Sequence, residues 1–123
     1  IIGNGQFFIA VTNSNSRLYA SSDNSVTTAF SANSSIALST AYVVAVTRTS
    51  AGVVNIYING VLSGTADQAS GTPAAGSPTY LGNRAAFDRT FDGYLGLMGV
   101  YNSILTVAQI NSISNFLKSY YQI

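Results

Sequence analysis

The chain contains no cysteine, no histidine, no tryptophan and no glutamate, and only two prolines in 123 residues. Each absence removes a class of function. Without Cys or His there is no zinc cluster, disulfide frame, thiol nucleophile or Ser-His-Asp triad. With no Glu, and acid only at Asp23, Asp67, Asp88 and Asp92, a glycosidase carboxylate pair is not expected. Charged residues make up 7%, roughly a quarter of the usual share in a soluble domain. Arg17, Arg48, Arg84, Arg89 and Lys118 bring the net charge to +1, which leaves no basic stripe for a phosphate backbone. Nucleic acid is therefore not an expected partner. Nor is membrane insertion, because no apolar run approaches the roughly 20 residues of a membrane span.

In place of charge, the chain carries 39 Ser, Thr and Asn residues and 11 Gly, within a composition that is 47% hydrophobic. That mixture is associated with extracellular and virion surfaces, and such a location is the expectation here. The length suits one domain with one core, spanning residues 1–123. Its opening, Ile1-Ile2-Gly3 without Met, leads us to expect part of a longer protein.

Short apolar runs punctuated by Ser, Asn and Gly predict a mostly β chain. Gln6–Thr12 and Arg17–Ala20 read as a hairpin around Asn13-Ser14-Asn15-Ser16. Val26–Phe30 is a weaker strand, and Tyr42–Arg48 a half-buried one. Val53–Ile58 places Val54, Ile56 and Ile58 on one face. Asn59-Gly60 follows, and this pair tolerates positive φ at both central positions of a type I′ turn. Val61–Ala66 is the return strand, Asp67–Pro78 a long loop, Thr79–Gly82 a short strand and Asn83–Thr90 a second loop. Phe91–Tyr101 is apolar on both faces, with Gly93, Gly96 and Gly99 interspersed; it is expected to be a strand covered on both sides.

One helix closes the chain. Thr106 is the predicted N-cap, and Gln109 three residues on completes a capping box. Val107, Ile110, Ile113, Leu117 and Tyr120 recur at three- and four-residue spacing, and Asn111, Ser112, Ser114, Asn115 and Lys118 fill the other side. So short an amphipathic helix is expected to lie on the sheet.

Four motifs then occur in sequence: Tyr57-Ile58-Asn59-Gly60, Tyr80-Leu81-Gly82-Asn83, Phe91-Asp92-Gly93-Tyr94-Leu95 and Tyr101-Asn102-Ser103-Ile104-Leu105-Thr106. In this order they resemble laminin-G-like domains of the concanavalin A-like lectin/glucanase superfamily. The ending Asn115-Phe116-Leu117-Lys118-Ser119-Tyr120-Tyr121 is similar to the helical tail of bacterial and phage members. The resemblance implies an antiparallel jelly-roll β-sandwich with one short C-terminal helix. It also implies a glycan- or surface-binding role. The glucanase activity of the wider superfamily does not carry over, since its Glu and Asp strand has no counterpart here.

Site expectations centre on the loops, which gather at the ends of a sandwich. Asn83, Arg84, Asp88 and Arg89 concentrate charge in one loop of a charge-poor chain. They read either as a surface ion pair or as a polar site whose guanidinium and amide forks grip sugar hydroxyls or acidic sugars. Asp67 is a further candidate, and the resemblance adds calcium as an option there. One carboxylate beside Gln68 and Ser70 offers little of the six to eight oxygens that calcium takes, so no metal or other cofactor is expected. Asp92 reads as a turn former that bonds to its own backbone. No catalytic residue is expected. The expected partner is a glycan or cell-surface polysaccharide, with a homo-oligomer or larger assembly beside it. The alternative is a structural assembly domain of a phage or virion appendage, using its sheet faces without glycan binding. An exposed Tyr face is the competing location for any recognition.

Overall fold

The computed structural model describes residues 2–3, 7–12, 15–22, 28–68, 80–83, 87 and 90–123. Eight strands and one helix follow in chain order: β1 (Ile2–Gly3), β2 (Phe7–Thr12), β3 (Arg17–Ser22), β4 (Ala29–Phe30), β5 (Val44–Arg48), β6 (Val53–Ile58), β7 (Val61–Asp67), β8 (Tyr80–Leu81) and α1 (Val107–Tyr121). They form two antiparallel sheets. One has five strands in the order β4-β3-β2-β1-β8, and the other three in the order β5-β6-β7. The expected all-β class with a C-terminal helix is what the chain adopts. Of the expected elements, Gln6, part of the first turn, residues 26–27 and most of the long loop lie outside the described residues.

The second sheet grows from its turns. Asn59 and Gly60 both take positive φ (53° and 87°), as a type I′ hairpin requires. Asn59 also ties the turn to the approach of β5. Its Oδ1 accepts from the Val43 N–H at 2.9 Å, and its own N–H donates to the Val43 carbonyl at 2.7 Å. At the other hairpin, the Gly52 N–H donates to the Thr49 carbonyl at 3.0 Å, with Gly52 at φ 93°.

Between the sheets lies a small core. Leu18, Ala20 and Ala29 come from the first sheet and Val54 and Ile56 from the second, with Ile9, Ile36, Val46, Ile58 and Ala66 half-buried around them. Of the three residues expected on one face of β6, Val54 and Ile56 are fully buried and Ile58 partly. Burying a side chain such as Ile56 contributes about 1.5–3 kcal/mol.

Polar stitches join the two layers. β7 carries a bulge: Ile56 faces Gly64 while Tyr57 faces Leu62, so Ser63 is the extra residue. The chain leaving β4 meets it there, and the Ala32 N–H donates to the Ser63 carbonyl at 2.9 Å. A Cβ on Gly64 would run into the Phe30 carbonyl oxygen, so this close approach depends on glycine. Buried Gln68 adds a second stitch. Its N–H donates to the Gly52 carbonyl at 2.9 Å, and its side-chain Nε2 to the Ala20 carbonyl at 3.0 Å. Buried Ser31 is satisfied too: its Oγ accepts from the Leu18 N–H at 2.9 Å and meets Ser35 Oγ at 2.7 Å.

Two expectations need correction. Residues 91–101 are not a strand covered on both faces: they pair with no strand, and most of their large side chains are exposed, Tyr94 and Val100 almost completely. Strand geometry needs a neighbour to take its N–H and C=O groups. Among the described residues only the Leu97 N–H within 92–105 finds a hydrogen-bond partner, the Tyr121 hydroxyl at 2.8 Å. The second correction concerns the helix. The capping box is present, with Thr106 Oγ1 accepting from the Gln109 N–H at 3.3 Å and Gln109 Oε1 from the Thr106 N–H at 2.8 Å. Its buried line, however, is Ile110 and Ser114, with Ile113 and Leu117 half-buried and Val107 and Tyr120 exposed. Ser114 sits inside because α1 comes close to the Asn59-Gly60 turn. A Cβ on Gly60 would lie 3.3 Å from Ser114 Cβ and 2.7 Å from Asn111 Oδ1. The helix thus meets the end of the three-stranded sheet with a small residue against a glycine.

Candidate functional site

The loop expected to bind begins just after β8. Its base is closed by two hydrogen bonds: the Phe91 N–H donates to the Gly82 carbonyl at 2.7 Å, and Asn83 Nδ2 donates to Thr90 Oγ1 at 3.4 Å. Tyr80 and Phe87 pack edge to face, with centroids 5.7 Å apart. Asn83 is therefore part of the neck that holds the loop shut. Arg84, Asp88 and Arg89 lie outside the described residues. Asp67 ends β7 in the other sheet, with an exposed side chain. Among the described residues no hydrogen bond or ion pair is seen between it and Asn83, which follows β8 in the other sheet.

Among the described residues no three His, Cys, Asp or Glu side chains gather as a metal site would require. Nor is any helix there long and apolar enough to cross a membrane.

A different cluster was not expected. β2 and β3 pair with Phe8 opposite Ser21, Ala10 opposite Tyr19 and Thr12 opposite Arg17, while Tyr19 faces Phe30 of β4. Directly paired residues share a face, so Phe8, Thr12, Arg17, Tyr19 and Phe30 all project from the side away from the core. Phe8 and Tyr19 meet edge to face at 5.2 Å, and Tyr19 and Phe30 lie 6.1 Å apart, tilted by 34°. The Arg17 guanidinium carbon rests 3.9 Å from the Phe30 ring centroid, a cation–π contact. The sequence signal was the alternation Phe8-x-Ala10-x-Thr12 against Arg17-x-Tyr19, which becomes a surface only once the hairpin register is fixed.

Beside the helix run two shallow apolar grooves. Tyr101, Leu105, Ala108, Gln109, Ser112 and Ile113 line one of about 380 Å³. Leu97, Phe116, Leu117, Tyr120 and Tyr121 line another of about 240 Å³. Neither contains an ionisable group other than tyrosine, so neither is equipped for acid–base chemistry.

Comparison with known proteins gives one match. A laminin G family model, described as the concanavalin A-like lectin/glucanases superfamily, covers residues 1–111. No curated protein and no solved structure matches the chain. The matched span takes in both sheets, the loop after β8 and the start of α1. On that coverage, together with the paired antiparallel sheets, the chain belongs to the laminin-G-like group of the concanavalin A-like lectin/glucanase superfamily.

Proposed function

We propose that this chain is a non-catalytic, lectin-like module that recognises glycan or a glycan-bearing surface, in an extracellular or virion protein. Family membership supports this reading, because the superfamily takes its name from lectins and glucanases, two kinds of protein that bind carbohydrate. The finer fold in this reading is a jelly roll, formed by residues 1–123 as one domain. Ligand contacts fall to Asn83, Arg84, Asp88 and Arg89, with Asp67 at the margin. The closed neck supports it: a loop held at its base varies at its tip without disturbing the sheets. Arg84 and Arg89 would donate to hydroxyls or carboxylates, and Asp88 would accept from hydroxyls.

The test is a glycan array probed with the purified chain and with a variant in which Arg84, Asp88 and Arg89 are all replaced by Ala. Binding by the parent, lost in the variant at an almost unchanged melting temperature, supports the loop site. Full binding by the variant moves the site elsewhere. Turnover of any polysaccharide that vanishes in Asp88→Asn or Asp92→Asn would reopen the glucanase branch.

A structural assembly role is the second reading, favoured by one observation. Tyr94, Leu97, Val100, Tyr101, Phe116 and Tyr120 are all exposed, and Leu97, Phe116 and Tyr120 line one groove; exposed apolar surface of this kind marks protein contacts. Silence on the array together with a stable multimer in solution supports that reading instead.

A further inference from the structure

We propose that the apolar face formed by α1 and the segment entering it is covered by a second copy of this chain, in a two-fold symmetric dimer. The proposal rests on the assembly reading above and names its partner.

The two grooves beside α1 form one surface. Residues three and four apart are neighbours on a helix, so Ser112 and Ile113 of the first groove adjoin Phe116 and Leu117 of the second. Tyr101 borders the first groove and Leu97 the second, so the segment entering α1 runs beside it in the opposite direction. The Leu97 N–H fastens that segment to the helix by donating to the Tyr121 hydroxyl at 2.8 Å. Phe116 and Tyr120 stack with centroids 6.2 Å apart, and both are exposed.

The amount of exposed surface points to the partner. The chain exposes 7811 Å², whereas a folded monomer of 12.8 kDa leaves about 6,300 Å² in water. That surplus, about 1,500 Å², lies within the range that one subunit of a permanent dimer buries. Apolar exposure is concentrated here: twelve of the twenty exposed large hydrophobic side chains among the described residues fall within 94–123. Charge permits like to meet like. Lys118 is the only charged side chain from 93 to 123 and lines neither groove, so two copies bring no like charges into the contact. A two-fold axis then gives each face a partner of equal area and the same chemistry.

Sedimentation of the purified chain from micromolar to millimolar concentration tests the proposal. We expect a concentration-dependent dimer of twice the chain mass. Phe116→Asp and Tyr120→Asp should each weaken it at least about thirtyfold. Leu38→Asp, at a side chain 95% exposed and outside both grooves, should leave it unchanged. Below the dissociation constant, all three variants should keep the urea midpoint of the parent. Because the chain has no cysteine, Ser112→Cys gives a second readout that stands even if the aspartate variants fail to fold. A short bis-maleimide should join two copies of that variant and none of Leu38→Cys. A monomer at every concentration overturns the dimer and self-assembly together. A dimer that survives both aspartate variants and does not cross-link through position 112 keeps the assembly reading and overturns this face as its contact.

Discussion

The three-stranded sheet and the segment from 90 to 106 are similar in composition and opposite in fate. Both are rich in aliphatic and aromatic residues with scattered glycines. In β5, β6 and β7 these residues alternate, and tight turns bring each strand beside its neighbour, so Val54 and Ile56 are completely buried. In 90–106 there is no such turn and no paired neighbour, and Leu97 is 70% exposed. Hydrophobicity alone did not bury the second segment. A hairpin is needed to convert an apolar run into an interior strand, because backbone pairing must be completed along with side-chain burial.

That contrast can be broken by measurement, and the largest effect is expected at its buried end. Ile56→Ala should destabilise the chain by about 2–5 kcal/mol, read as a shift of the urea midpoint. Ile110→Ala should cost about 2 kcal/mol, and half-buried Ile113→Ala about half as much. Equal losses at 110 and 113 would mean that the helix is rotated from the position described. Removing the cap by Thr106→Ala should lower stability by about 1 kcal/mol and fray the first turn of α1, visible as reduced helical circular dichroism. The smallest effect belongs to the exposed segment, where Leu97→Ala should stay within about 0.5 kcal/mol. A loss there as large as that at Ile56 would show that residues 91–101 are packed in solution, and the contrast would disappear.

Local signals were readable in the sequence wherever local chemistry decides. Asn59-Gly60 announces its turn because few residue pairs accept positive φ twice, and Thr106 with Gln109 announces the helix start through its own hydrogen bonds. What depended on distant neighbours was not readable. The inward placement of Ser114 follows from Gly60, more than fifty positions earlier in the chain. That 91–101 pairs with no strand among the described residues is a property of the assembled sheets, invisible in the segment itself. The aromatic face containing Arg17 requires the β2–β3 register before its members can be seen as neighbours. Of the loop candidates, Asn83 has a structural explanation in the neck, and Asp67 stands in the other sheet.

Gly64 has a consequence for how this chain can change over generations. Its missing side chain is what lets the Phe30 carbonyl settle on β7, so its position in the strand matters as much as its identity. Inserting or deleting one residue between the Asn59-Gly60 turn and position 64 would carry the glycine out from beneath Phe30 and put a side chain in its place. Length variation should therefore be excluded from the first half of β7 and accepted in exposed connections such as 38–41. A library of single-residue insertions sorted for folded protein would draw that boundary directly, with a sharp gap in the first half of β7 and survivors on both sides of it.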